Sequence, residues 1–335
     1  MYPFIAAQVH ILIENIRLIE AFVTAPLGLY ADIRMIREAL PMAEADNLPQ
    51  SELQQRRIGY RRLTDDPGPL ALRAIEQIET SVAILEDMTD SGEAVLRPEW
   101  VAQARKVLPR ARQHVGDELR SKTVSRVTGL YVIVDPQVTE GRPVEEVAEA
   151  ALKGGARLVQ LRDKSANRGD ALTVAGEIRS LCEAHDALFI MNDDPAMTLS
   201  SDAHGLHLGQ GDLPVAAARR VIRQDQIVGR SNNNMEELAA SIAAGVDYLA
   251  VGAVFATSTV GKGDRPVVGA ELVTRARETA DRPIVAIGGI NRDNVGEVVR
   301  AGADCVCVVA AVTRADDPEA SASALVKAIL NAKSG

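Results

Sequence analysis

The sequence predicts an α/β protein, a (β/α)8 TIM barrel preceded by a small all-α helical domain. From Leu130 onward, short β-branched runs alternate with amphipathic segments, which is the pattern of a parallel sheet with crossover helices. Eight such units follow within about 200 residues, and this number fits a compact closed barrel. Before Leu130, apolar residues recur at the three- and four-residue spacing of helices. An open, doubly wound sheet is the alternative, but the strand count and the regular strand length favour closure.

Residues 1–125 are predicted to form the helical domain, as two helical hairpins. Its apolar stripes are Ile11, Ile13, Ile16, Ile19 and Phe22; Ile33, Ile36 and Leu40; Leu72, Ile75, Ile78, Val82 and Leu85; and Val101, Ala104, Val107 and Leu108. The charged break from Asp46 to Pro69 is interpreted as an exposed linker. We find no acid–base pair, ligand cluster or glycine-rich cradle in this domain, so its sequence assigns it no function.

Residues 129–335 are predicted to form the barrel. The predicted strands are Leu130–Asp135, Leu158–Arg162, Leu188–Asn192, Gly205–Leu208, Ile227–Arg230, Tyr248–Phe255, Ile284–Ile287 and Cys305–Val309. The predicted helices include Val144–Lys153, Ala171–Ala184, Met235–Ala244, Leu272–Ala280, Asn294–Ala301 and Ala320–Ala332. A glycine repeats between helix and strand at Gly155, Gly245 and Gly302, where a helix C-terminus needs left-handed geometry. This repeated glycine supports a barrel that is built from repeated units.

Composition narrows the classes of partner. The net charge of −9 and the pI of about 5.2 argue against nucleic acid, and aromatic residues make up only 3% of the chain. No uncharged run approaches the roughly 18 residues that a membrane span needs. Three cysteines without framework spacing suit a reducing cytoplasm, and Cys305 and Cys307 are expected to share a packed face rather than a metal. We therefore expect small-molecule substrates, while a homo-oligomer stays open.

The stretch Val159–Lys164 carries the first chemical signal. Gln160, Arg162 and Lys164 alternate along the chain, so they share one face at a strand end. An amide, a guanidinium and an ammonium together suit a polyanion. A surface strand with two solvated charges is the competing interpretation. The later strand ends favour the polyanion, because they also stop on groups that bind phosphate or a divalent cation.

The C-terminal strand ends of a barrel face one site, so these positions are interpreted together. They carry Asn192 to Asp194, His207, Gln210 to Asp212, Ser231 and Asn232, Thr257 to Thr259 with Lys262 beyond, and Gly288 and Gly289. Asp193 and Asp212 could each give one carboxylate to Mg²⁺, with substrate oxygens and water as the other ligands. Asp194 precedes Pro195 and is expected to cap a helix instead. His207 is either a site residue or a packed barrel histidine.

The same residues carry a resemblance to a known family. The segments VQLRDK, MNDDP, HLGQGDLP, VGRSNN and AIGGI stand in the order and spacing of thiamine-phosphate synthases, and the resemblance covers the whole predicted barrel. The helical domain resembles an extension found in a subset of that family, through Ile16 to Glu20, although this match is much weaker.

The resemblance implies a transferase with Mg²⁺ that joins a pyrimidine diphosphate to hydroxyethylthiazole phosphate and releases pyrophosphate. It assigns the pyrimidine diphosphate to Gln160, Leu161, Arg162, Asp163, Lys164 and Asn192, with His207 as a further substrate contact. It assigns Mg²⁺ to Asp193 and Asp212, and it places Ser231 beside the bridging oxygen. The residues that it assigns to binding of the thiazole phosphate are Thr257, Ser258, Thr259, Gly289, Val309 and Ala310. Arg162, Lys164, Ser231 and Lys262 are the expected catalytic residues.

Two positions depart from the family pattern. Val260 stands where the family's Thr-x-Thr-Lys loop has its lysine, which leaves Lys262 as the nearest cation. Ala310 replaces a hydroxyl residue in the second phosphate loop. Two alternatives follow from the resemblance: a thiazole tautomerase, which needs no pyrophosphate clamp, and a non-catalytic regulatory protein that binds thiamine phosphate.

Overall fold

The structure is a computed structural model that describes residues 3–23, 27–40, 68–89, 96–257 and 266–334. The chain divides into two compact units, Met1–Leu119 and Arg120–Gly335, which we call the helical unit and the barrel unit. The division lies within the helix Pro98–Val124, a few residues before the boundary expected from the sequence. None of the helices in the described ranges is both long and apolar enough to cross a membrane.

The described part of the helical unit contains the helices Pro3–Phe22, Leu27–Glu38, Gly68–Thr89 and Pro98–Val124. Their apolar stripes form one core, and Ile16, Ile36 and Ile78 are almost fully buried in it. One member of the predicted stripe was wrong: Ile11 is 41% exposed, whereas Leu12 is buried in its place. Leu12 shares a helix face with Ile16 and Ile19 because they stand four and seven residues further along the chain.

The linker predicted from Asp46 to Pro69 ends earlier than expected. Gly68 and Pro69 form the first turn of a helix, where proline loses no intrahelical hydrogen bond. The rest of this predicted linker lies outside the described residues.

The segment Ile16 to Glu20 contributes buried charges to the helical unit. The guanidinium Nε of Arg37 donates to both carboxylate oxygens of Glu20, at 3.1 and 3.0 Å, and both side chains are less than 10% exposed. Burial raises the pKa of Glu20, and the Arg37 charge acts in the opposite direction. The pair joins two helices, so we interpret this segment as structural.

The barrel unit contains eight parallel strands in a closed order, which confirms the predicted fold. The strands are β1 (Gly129–Val134), β2 (Leu158–Leu161), β3 (Leu188–Asn192), β4 (Gly205–Leu208), β5 (Ile227–Asn232), β6 (Tyr248–Val251), β7 (Ile284–Ile287) and β8 (Cys305–Val308). The helices between and after them are Val144–Lys153, Arg168–Ala184, Pro195–Ser200, Val215–Ala218, Met235–Ala243, Gly269–Thr279, Val295–Arg300, Ala310–Thr313 and Pro318–Ser334. Pairing of Gly129 with Cys305 joins β1 to β8 and closes the ring.

Alternation along the strands separates two apolar layers. In β2, Val159 and Leu161 face the surrounding helices, whereas Leu158 belongs to the cluster inside the barrel. The interior cluster also holds Cys305 and Cys307, both buried, as the sequence predicted. Because β-strands alternate with a period of two, the residues after Leu158 on the inner face are Gln160 and then Arg162.

Strand β6 ends at Val251, so the prediction that it continues to Phe255 was wrong. Gly252 lies so close to β7 that a Cβ there would overlap the carbonyl oxygen of Ile287. Residues 252–255 continue beside β7 without regular pairing, and the amides of Val254 and Phe255 donate to Ile287 and Gly288, each at 2.9 Å. Strand β5 is longer than expected because Ser231 and Asn232 still pair with β6.

Candidate active site

A cavity of about 690 Å³ opens at the C-terminal ends of the barrel strands. Most of the residues expected at the site line it, and they come from six strand ends and from the segment that follows β6. They are Gln160, Arg162, Lys164, Asn192, Asp193, His207, Asp212, Ser231, Thr257, Gly289, Val309 and Ala310. The parallel barrel therefore brings together side chains that are up to 150 residues apart in sequence.

The cations that follow β2 are held by carboxylates. The Arg162 guanidinium forms an ion pair with Asp135, which is 1% exposed and follows β1. Asp135 is itself fixed, because it accepts a 2.9 Å hydrogen bond from the Gln137 amide. The Lys164 ammonium lies 3.0 Å from a carboxylate oxygen of Asp193. Both cations therefore point into the cavity from defined positions.

Asp193 and Asp212 form an acidic pair beside Lys164. Asp193 adopts a left-handed backbone with a φ of 60°, and its amide donates to the His207 carbonyl. One Asp212 oxygen accepts a 2.6 Å hydrogen bond from the Gly209 amide. Partial burial raises the pKa of Asp212, and the neighbouring carboxyl of Asp193 raises it further, whereas the Gly209 amide and Lys164 oppose this.

This acidic pair has the chemistry of a site for a hard divalent cation. The carboxyl of Asp193 raises the pKa of Asp212, so a cation beside the pair would stabilise the charged form of Asp212, and oxygen is the donor that Mg²⁺ prefers. Within the described ranges, no group of three or more His, Cys, Asp or Glu side chains is placed to hold a metal. A cation held here would therefore need further oxygen ligands from substrate or water, as is usual for Mg²⁺ at phosphates.

His207 lies between the cavity and the barrel interior. Its Nδ1 is 3.0 Å from the Tyr248 hydroxyl, and its Nε2 is 2.9 Å from the Ser231 hydroxyl. The imidazole also stacks on the Tyr248 ring, with centroids 5.7 Å apart. Burial lowers the pKa of His207 to about 4, with a small opposing effect from Asp212, so the imidazole is neutral at pH 7. His207 is thus both a packed barrel residue and a lining residue.

Two consecutive glycines after β7 also line the cavity. Gly288 and Gly289 have positive φ angles, and side chains there would collide with residues 253–256. Asn294 donates to the Gly289 carbonyl at 2.9 Å and fixes this turn. Val309 and Ala310 follow β8 and also line the cavity. Ser258, Thr259, Val260 and Lys262 lie outside the described residues, so the predictions for them stay predictions.

Four candidates lie away from the cavity. Leu161 packs between the barrel and its helices, and the Asp163 carboxylate accepts hydrogen bonds from Ser165 and Ala166. Asp194 caps the helix Pro195–Ser200 through the amides of Ala196 and Met197, as predicted. Asn232 is fully buried and bonds Ser241 and the Ala250 carbonyl, so its role is structural.

Five polar residues at or beneath the cavity were not predicted from the sequence, and two of them, Asn233 and Asn291, line the cavity. Asp135 holds Arg162, and Tyr131 and Tyr248 lie beneath His207. Asp135 carries the same signal as Asp193, a carboxylate directly after a buried strand, so the sequence contains the information that identifies it. The lining also includes an apolar floor of Ile133, Ala250, Ile287 and Cys307. Burial raises the pKa of the Cys307 thiol well above its usual range, which makes it a poor nucleophile.

Comparison with known proteins agrees with this arrangement. Residues 130–312 match the family model described as thiamine monophosphate synthase. The chain is 45% identical over 206 residues to the thiamine-phosphate synthase of Thioalkalivibrio sulfidiphilus, covering 61% of this chain and 97% of that protein. It is 45% identical over 182 residues to that of Thermosynechococcus vestitus, covering 54% of this chain but only 51% of that longer protein. Among solved structures, thiamine phosphate pyrophosphorylase from Pyrococcus furiosus has a TM-score of 0.58 and 34% identity, covering 63% of this chain and 98% of that one.

We predict that Asp135→Asn destabilises the barrel. Asparagine keeps the shape of the side chain and can still accept the hydrogen bond from the Gln137 amide. It leaves the partly buried Arg162 without its counter-charge, however, and this lowers the free energy of unfolding by about 2 kcal/mol. The thermal midpoint, followed by circular dichroism, should fall by about 5 °C. Asp293→Asn is the control, because the ion pair between Asp293 and Arg292 is largely exposed. Equal midpoints for the two variants would show that the pair with Arg162 is unimportant.

Proposed function

Because the chain belongs to the thiamine monophosphate synthase family, we propose that it joins 4-amino-2-methyl-5-(diphosphomethyl)pyrimidine to hydroxyethylthiazole phosphate. The products are thiamine monophosphate and pyrophosphate. One observation carries the proposal: a single cavity combines cations, an acidic pair, an apolar floor and a backbone turn suited to a second phosphate. Each part corresponds to one portion of the two substrates.

The pyrophosphate side would be formed by Arg162, Lys164, Asp193 and Asp212. Arg162 and Lys164 supply donors to phosphate oxygens from positions already fixed by carboxylates. These two cations face three carboxylates, counting Asp135, so this side carries no excess positive charge of its own. A divalent cation on Asp193 and Asp212 would reverse that balance and neutralise charge on the departing pyrophosphate. This charge balance supports Mg²⁺ as the cofactor.

The remaining subsites would hold the two rings and the second phosphate. Gln160 and Asn192 offer amide groups to a pyrimidine that lies on Ile133 and Ala250. The thiazole phosphate would be held by Thr257, by Gly289 and by backbone amides near Val309 and Ala310. Ser258 and Thr259 complete this subsite in the proposal. Backbone donors suffice for a phosphate, which makes the hydroxyl missing at Ala310 dispensable.

The reaction needs no covalent enzyme intermediate. The bond between the pyrimidine methylene carbon and the bridging oxygen breaks, and its electron pair leaves with pyrophosphate. The lone pair of the thiazole nitrogen forms the new carbon–nitrogen bond and leaves the positive charge on the thiazolium ring. Arg162, Lys164 and the Ser231 hydroxyl stabilise the developing negative charge, while the apolar floor excludes water that would capture the carbon.

A thiazole tautomerase is the less favoured alternative. That reaction releases no pyrophosphate, so it gives no reason for an acidic pair beside two fixed cations. A regulatory protein that only binds thiamine phosphate would use the same subsites without turnover. The two alternatives are separated from a synthase by a direct assay.

The proposal also extends to the cell compartment. The cysteines Cys182, Cys305 and Cys307 are free thiols and buried, which suits the reducing cytoplasm. Homo-oligomer formation stays a prediction, and the subsites named above come from one chain.

Pyrophosphate release with each substrate omitted in turn tests the proposed reaction. The full chain should release pyrophosphate and form thiamine monophosphate in equal amounts only when both substrates and Mg²⁺ are present. Thiamine monophosphate is quantified by chromatography alongside the pyrophosphate assay. Binding of thiamine monophosphate without any turnover would support the regulatory alternative and overturn the synthase.

Asp193→Asn and Asp212→Asn should each lower turnover by at least about 10²-fold, because each removes one charge at the leaving group. The apparent Mg²⁺ requirement should rise in both variants. Asp194→Asn is the matched control one position along the chain, since asparagine caps a helix about as well as aspartate. Wild-type turnover at limiting Mg²⁺ in Asp193→Asn or Asp212→Asn would remove that residue from the metal site.

A further inference from the structure

A chain of buried polar groups runs beneath the cavity, and the proposed reaction leaves most of it unexplained. The Gln160 amide nitrogen is 2.5 Å from the Tyr131 hydroxyl, which lies 3.4 Å from the Tyr248 hydroxyl. The Tyr248 hydroxyl is 3.0 Å from His207 Nδ1, and His207 Nε2 is 2.9 Å from the Ser231 hydroxyl. Five strands, β1, β2, β4, β5 and β6, each contribute one member of this chain.

These polar groups are buried in the barrel interior, and a glycine leaves room for one of them. Gln160, Tyr131 and Tyr248 are each no more than 1% exposed. Gly229 of β5 lies against the Tyr248 ring, and a Cβ at this position would overlap the ring carbon that carries the hydroxyl. Buried polar groups cost free energy unless they are hydrogen-bonded, so each hydroxyl here needs a partner.

The direction of each hydrogen bond in this row of buried polar groups follows from Gln160, its first member. The Gln160 amide nitrogen can only donate, so Tyr131 accepts from it and uses its own proton toward Tyr248. Tyr248 then donates to His207 Nδ1, which must be the unprotonated nitrogen of the imidazole. The proton on Nε2 is donated to Ser231. Ser231 therefore keeps its own hydroxyl proton for the cavity.

The reverse order leaves one group without a partner. If Ser231 donated to His207, Nδ1 would donate to Tyr248, and Tyr248 would donate to Tyr131. Tyr131 would then accept two hydrogen bonds, and among the described residues no further group accepts one from its hydroxyl. A buried hydroxyl proton without an acceptor is unfavourable, which selects the first order.

We propose that Tyr248 is a positioning residue, which holds His207 in the tautomer protonated at Nε2 and so directs the Ser231 hydroxyl proton into the cavity. In the proposed reaction, on which this inference rests, that proton is donated as a hydrogen bond to the bridging oxygen of the departing pyrophosphate. Tyr248 touches no substrate. It acts through His207 and Ser231, and Tyr131 and Gln160 order the chain behind it.

A double-mutant cycle tests the coupling. Tyr248→Phe in the wild-type chain should lower kcat about tenfold, as expected for loss of one ordered hydrogen bond, with KM for both substrates changed less than about twofold. In a Ser231→Ala background, the same change should lower kcat less than about twofold, because Ser231 is the group through which Tyr248 acts. Tyr30→Phe, the same change in the helical unit, is the control and should leave kcat unchanged. An equal loss from Tyr248→Phe in both backgrounds would overturn the proposal.

The tautomer is measured independently of activity. Nitrogen-15 NMR of the full chain at neutral pH distinguishes the two imidazole nitrogens, and the His207 signals are identified by their absence in His207→Gln. Wild-type His207 should be protonated at Nε2 alone, and Tyr248→Phe should show a mixture of both tautomers. Protonation at Nδ1 in the wild type, or an unchanged spectrum in Tyr248→Phe, would refute the inference. If the protein had no synthase activity, this spectrum would still show which tautomer is present. A failure of the proposed function can therefore be distinguished from a failure of this inference.

Discussion

Closure of eight parallel strands is the constraint on which the site depends. Because all strands point the same way, their carboxyl ends meet at one mouth, and alternation sends every second side chain inward. The inward positions hold an apolar cluster that includes Leu158, Leu188 and Val285. Gln160 is two residues after Leu158, so the change from packing to chemistry occurs within one strand.

Opposite charges hold each other in place at this mouth. Asp135 fixes Arg162, Asp193 contacts Lys164, and Asp212 is fixed by the Gly209 amide. Side chains already held in one orientation lose little conformational entropy when a substrate binds. The same ion pairs reduce the positive charge that a polyanion would meet, which explains why the proposed site depends on a divalent cation. In the proposed site, the ion pairs hold Arg162 and Lys164 in position as phosphate donors, and a divalent cation would add the net positive charge that attracts the substrate.

The barrel and much of its site could be predicted from the sequence, because strand periodicity and strand-end residues are local signals. Arg162, Asp193 and Ser231 were identified this way, and all three line the cavity. What could not be predicted depends on lateral register. The contact between Arg162 and Asp135 arises because β1 and β2 pair side by side, which nothing within either segment specifies.

The close approach between neighbouring strands also could not be predicted from the sequence. Strand β6 ends at Val251 although residues 252–255 are apolar enough to extend a strand, and the next residue, Gly252, lies so close to β7 that a Cβ would overlap the Ile287 carbonyl oxygen. In the helical unit, the error at Ile11 has a simpler cause: the run Ile11 to Ile13 is apolar at every position, so periodicity alone did not decide which side chain is buried.

The proposed function requires that the mouth of the barrel binds pyrophosphate beside the acidic pair. A crystal structure of the full chain grown with Mg²⁺, pyrophosphate and thiamine monophosphate is the decisive measurement. We expect a pyrophosphate in contact with Arg162 and Lys164, joined to Asp193 and Asp212 through Mg²⁺, with the thiazole phosphate against Gly289. Pyrophosphate bound elsewhere, or bound at this mouth with no metal on either aspartate, would rule out the proposed arrangement.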